Sequence, residues 1–160
     1  MIPPIPGHDP VMPEPDDETR ALMALQDLHN QTLDVLAGYE TMLDRAEAGF
    51  RPVVQRFVDL HRRHADVLAR ILSEEARAEP GDGTLMGTVN RMVVATRALV
   101  DTIDEGRMNA IRRGEAHVMD AFKAARACPL DAGTDLRLQT MAAELAGLLA
   151  ETRDIARDIG

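Results

Sequence analysis

Five side chains in this 160-residue sequence are of types that bind metals or move protons, and they fall at spacings that should bring them together. Glu40 lies four residues after Leu36 and three before Leu43, and Glu115 lies four after Ile111 and three before Val118. On a helix both carboxylates therefore share the apolar face or border it. His61 and His64 continue a line from Phe57 to Leu68 and Ile71, which carries one or both imidazoles inward. Glu151 flanks Thr152, which sits between Leu148 and Ile155. Charged and imidazole groups inside an apolar bundle are costly unless they pair, bind water or coordinate an ion. Carboxylates and imidazoles together form the donor set that first-row divalent metals take.

Depth supplies an independent argument. Glu40 stands nine positions before Gly49, His61 nine after Pro52, Glu115 nine after Gly106, and Glu151 nine before Gly160. If those four positions mark one end of a helical bundle, each side chain lies about 13 Å below it, at a rise of about 1.5 Å per residue. All four bundle helices then contribute a polar residue at one level.

The elements that must position these residues are delimited by proline and glycine. Breaks fall at Gly49 to Pro52, at Pro80 to Gly83 and at Pro129 to Gly133, with a milder one at Asp104, Glu105 and Gly106. Between breaks the apolar residues recur every three or four positions, and no segment alternates as a strand would. Helix A begins near Asp16 or Asp17, carries Leu22, Leu25, Leu33, Leu36 and Leu43, and stops at Gly49. Helix B takes Pro52 in its first turn and buries Phe57, Leu60, Leu68, Ile71 and Leu72. A further helix from Thr84 to about Asp104 carries Leu85, Val89, Met92, Val93, Leu99, Val100 and Ile103. Helix C presents Met108, Ile111, Val118, Met119 and Phe122. Helix D, capped by Thr134 or Asp135, presents Leu138, Met141, Leu145, Leu148, Ile155 and Ile159. Six of the nine prolines precede Asp16, so residues 1–16 form an acidic, Pro-rich tail and residues 17–160 the bundle.

Composition narrows the classes of function. Aromatic residues make up 2%, with no Trp and one Tyr, so the core is built from aliphatic residues and Met. A formal charge of −9 with so few aromatic faces argues against nucleic acid, which is bound through basic grooves and base stacking, and against anionic membrane surfaces. Neither a bilayer-spanning run nor a signal peptide is apparent, which predicts a cytoplasmic protein. Cys128, directly before Pro129, reads as a small helix-end residue. His29 follows the helix A stripe but lies far from the layer, and His117 projects away from Glu115. Glu74, Glu75, Asp101, Asp104 and Glu144 read as solvated faces.

Two helices, a helical crossover and two more helices with inward carboxylates at one depth resemble the ferritin-like superfamily. More narrowly the chain resembles a small bacterial four-helix-bundle family, domain of unknown function 2383, from about Leu22 to Ile159. The best local match is Ile111-Arg-Arg-Gly-Glu-Ala-His-Val-Met-Asp-Ala-Phe122, with its Arg-Gly-Glu at the opening of helix C. The resemblance implies an all-α, ferritin-like four-helix bundle with a helical crossover between the second and third bundle helices. It also implies a metal site drawing one Glu each from helices A and C and a Glu-x-x-His from helices B and D. Glu40 and Glu115 match the single glutamates. Helix B has His61-Arg-Arg-His64 and helix D has Glu151-Thr-Arg-Asp154, so both paired motifs depart from the pattern.

Two functional readings follow. In the first, Glu40, His61, His64, Glu115 and Glu151 hold iron or manganese for redox or ferroxidase-like chemistry. In the second, the layer is a metal-free remnant that fixes helix register, and the chain is a structural or protein-interaction bundle whose tail is a docking segment. In either case homodimerisation is expected, because small bundles often extend their cores by pairing.

Overall fold

The computed structural model describes residues 13–78 and 105–158, and every regular element in them is a helix. Helix α1 spans Asp17–Leu43, α2 Arg51–Ala78, α3 Glu105–Arg126 and α4 Ala132–Asp158. The expected helix from Thr84 to Asp104, the tail before Pro13, Ile159, and the side chains of Met108 and Ile155 lie outside the described residues.

The helix ends follow local chemistry. Asp16 caps α1, its carboxylate accepting from the Thr19 amide at 2.8 Å. That carboxyl is held below its usual range by the Thr19 bonds. Helix α1 stops at Leu43 rather than at Gly49, and a short turn through Glu47 leads into α2, which accommodates Pro52 at its second position. The start of α4 also differs from the expectation: Asp131 is the cap, not Thr134 or Asp135. Its carboxylate accepts from the Thr134 amide at 2.9 Å and from the Thr134 hydroxyl at 2.7 Å. The helix therefore opens one turn earlier.

Helix α1 packs against α2 and α3, and α4 packs against the same two, so α2 and α3 are diagonally opposed. Contacts between α2 and α4 run Arg56 to Glu151, His64 to Glu144 and Glu74 to Arg137, an antiparallel pairing. The short turn through residues 127–131 makes α3 antiparallel to α4, and hence parallel to α2. The end of α2 and the start of α3 accordingly lie at opposite ends of the bundle.

Leu25, Leu28, Leu68, Ile71, Val118, Phe122, Leu138 and Leu145 fill the core. On α1 the buried line runs Leu25, Leu28, Thr32, Val35, Leu36, Tyr39 and Met42. Leu25 and Leu36 are buried but Leu22, Leu33 and Leu43 only half-buried, so the true stripe is turned toward Tyr39 from the one the leucines mark, by less than the roughly 100° that separates successive residues. That rotation decides which polar side chain enters the interior.

Candidate functional site

A buried polar cluster occupies the middle of the bundle. Glu115 on α3 is 3% exposed and His61 on α2 is fully buried, and they join across the bundle diagonal with His61 Nε2 2.9 Å from Glu115 Oε1. Tyr39 on α1 donates its hydroxyl to the same oxygen at 2.7 Å. The close approach of α1 and α3 rests on Gly114: a Cβ there would stand 2.8 Å from Val35 Cγ2. The neighbouring Glu115 thereby comes within reach of Tyr39.

A carboxylate oxygen accepts, so Nε2–H of His61 is the donor that suits Glu115 Oε1. Burial, then the charge of Glu115 and its bond, push the Tyr39 phenol well above its ordinary value. The Tyr39 ring is stacked on Phe57 and on His61, which locks its orientation.

A second pair extends the cluster to α4. His64, 2% exposed, places Nε2 2.8 Å from Oε2 of Glu144, whose side chain is half-exposed. Burial pulls His64 below its usual value, and the bond to Glu144 opposes the pull. The His61 and His64 rings meet edge to face with centroids 6.4 Å apart. Three buried atoms here have no hydrogen-bond partner among the described residues: His61 Nδ1, His64 Nδ1 and Glu115 Oε2.

The residues expected to form the site therefore divide. His61, His64 and Glu115 are buried, and His61 and Glu115 touch. Glu40 is exposed and bound to Arg62 at 2.7 Å, which corrects the expectation that it faces inward. Glu151 is exposed and bound to Arg56 at 2.6 Å. Glu144, expected on a solvated face, is instead the α4 carboxylate that meets the buried His64 imidazole. Tyr39 also escaped the sequence reading. It is the only tyrosine, three residues after Leu36 and seven after Thr32, a spacing that could have marked it as interior.

This donor set does not fit a two-metal centre. One carboxylate, one imidazole and one phenol meet at Glu115, while the two further glutamates such a centre would use are held outside by arginines. Among the described residues no three His, Cys, Asp or Glu side chains stand together as a metal-holding group. Nor is any described helix long and apolar enough to cross a membrane.

The family described as a domain of unknown function, DUF2383, matches residues 20–127. The chain belongs to that family. The match includes Tyr39, His61, His64 and Glu115 and ends before α4, so the DUF2383 segment holds the central cluster while Glu144 lies beyond it. No curated protein and no solved structure matches the chain.

Proposed function

We propose that this DUF2383 chain is a metal-independent helical scaffold, a structural or protein-interaction bundle in which the Tyr39, Glu115 and His61 cluster fixes how the helices align. The observation that carries this reading is the use of Glu115: its Oε1 is shared between a phenol and an imidazole, and among the described residues no second carboxylate joins them. The two hydrogen bonds to Glu115 Oε1 form at one axial alignment of α1, α2 and α3 and break at others, which makes the cluster a device for specifying one packing. Pairing of two copies belongs to the same proposal, with exposed apolar side chains such as Met23 and Leu136 available to bury.

Elemental analysis of protein purified without a chelating tag, with calorimetric titration by ferrous and manganous ions, tests the reading. Substoichiometric metal and no saturable heat are expected. A second reading, a site for iron or manganese with redox chemistry, is favoured by the three unpartnered buried atoms, His61 Nδ1, His64 Nδ1 and Glu115 Oε2. It requires Glu40 and Glu151 to leave Arg62 and Arg56. One or two ions bound per chain, lost on Glu115→Gln, would replace the scaffold reading with this one.

A further inference from the structure

Tyr39 is the sole tyrosine of a chain that has no tryptophan, and it is 5% exposed. Its ring lies nearly flat on Phe57, with centroids 4.7 Å apart and planes inclined by 7°, and on His61 at 5.7 Å and 18°. Its hydroxyl is 2.7 Å from Glu115 Oε1, a hydrogen bond already formed at ordinary length in a site shielded from water. That oxygen is fixed from the other side by His61 Nε2 at 2.9 Å. The phenol, its proton acceptor and the group that orients the acceptor thus come from three different helices.

A phenol that loses an electron becomes a very strong acid, and in an apolar interior the resulting cation is prohibitively costly unless the proton leaves with the electron. An acceptor already within hydrogen-bond distance allows both to move together. We propose that Tyr39 is a proton-coupled one-electron donor and that Glu115 is its base. A one-electron oxidant, such as an oxygen-centred radical derived from a peroxide or a high-potential metal complex, removes one electron from the Tyr39 ring. The O–H bond breaks, its proton passes to Glu115 Oε1, and the oxidant is reduced by one electron. The products are a neutral tyrosyl radical and a protonated Glu115, so the proton stays within the cluster and the net charge of the cluster rises by one as the electron leaves to the oxidant. Reduction of the radical by one electron returns the proton along the same bond. With no second tyrosine and no tryptophan in the chain, the oxidising equivalent has no aromatic neighbour of similar potential to which it can migrate.

The inference goes beyond the scaffold reading and does not rest on it, because the phenol and its base act alike whether or not the bundle holds a metal of its own. The test is flash-quench photo-oxidation of the full chain, freed of metal by dialysis against chelator, with a soluble ruthenium tris-bipyridine as oxidant. The tyrosyl radical is followed by transient absorption and electron paramagnetic resonance. The native protein should give a radical whose formation slows in deuterium oxide, and Tyr39→Phe should lose the signal entirely. Glu115→Gln should slow formation by about a hundredfold, within the range a positioned base contributes. No radical in the native protein, or formation insensitive to both deuterium and Glu115→Gln, would overturn the proposal. Should Glu115→Gln fail to fold by circular dichroism, Glu115→Asp replaces it. Aspartate withdraws the carboxylate from the phenol by one methylene, and slower radical formation is again the supporting result, an unchanged rate the opposing one.

Discussion

Gly114 of α3 passes so near Val35 of α1 that a Cβ on the glycine would stand 2.8 Å from Val35 Cγ2. This contact sets the separation of the two helices one residue before Glu115, and the bond from Tyr39 depends on that separation. Gly114→Ala should therefore destabilise the fold by about 1–3 kcal/mol through overpacking, despite the better helix propensity of alanine. In a Val35→Ala background the same change should become neutral or favourable. Denaturant midpoints for the four proteins of this cycle decide the matter, and an equal loss in both backgrounds would show that the contact is not the cause.

Changes at Glu115 should separate shape from hydrogen bonding. Glu115→Ala strips the partner from both the Tyr39 hydroxyl and His61 Nε2 and leaves a cavity, for an expected loss of about 3–5 kcal/mol. Glu115→Gln keeps an acceptor oxygen in place and removes a desolvated charge, so its loss should be under about 1 kcal/mol. Chemical denaturation checks both, and equal losses would mean that the charge itself holds the helices together.

The buried imidazoles predict weakening in mild acid. Burial lowers His29, and burial outweighs Glu144 in lowering His64, each from a value of 6.5. The unfolded chain therefore binds protons on these groups before the folded chain does. Stability is full above pH 6.5 and declines as pH falls below it, ahead of the carboxylate range. Melting temperatures should hold steady from about pH 8 to 7 and fall by about pH 5. His29→Gln should flatten the fall, and an unchanged slope would remove His29 from the account.

At the start of α4 the predicted effect is local. Asp131→Ala removes both bonds to Thr134 and should cost about 1 kcal/mol, whereas Asp135→Asn loses only the charge of an exposed pair with Arg126 and should cost less than about 0.5 kcal/mol. Thermal melts rank the two variants, and the reverse order would reassign the cap.

Glu40→Gln and Glu151→Gln should each change stability by less than about 0.5 kcal/mol, since both carboxylates sit in exposed pairs with arginine. A loss above about 2 kcal/mol from either would place that carboxylate in the interior after all.

The four described helices, their approximate limits and the depth of the polar level were legible in the sequence. Axial position is forgiving: an error of one residue moves a side chain only about 1.5 Å, so counting from the Gly49 to Pro52 turn for Glu40 and His61, and from Gly106 for Glu115, brought the three to nearly the right height. Angular position is not forgiving, because the same error turns a side chain by about 100°. The packing of α1 between α2 and α3 put Tyr39 inside and Glu40 beside Arg62. The leucines alone could not show this, since Leu22, Leu33 and Leu43 only border the core. The alignment of α4 was likewise a tertiary matter. It is set by the Asp131 cap and by antiparallel packing on α2, which bring Glu144 to His64 and carry Glu151 on to Arg56. Sequence periodicity fixes which residues share a helix face and how far along it they lie, whereas the neighbouring helices decide which face becomes the inside.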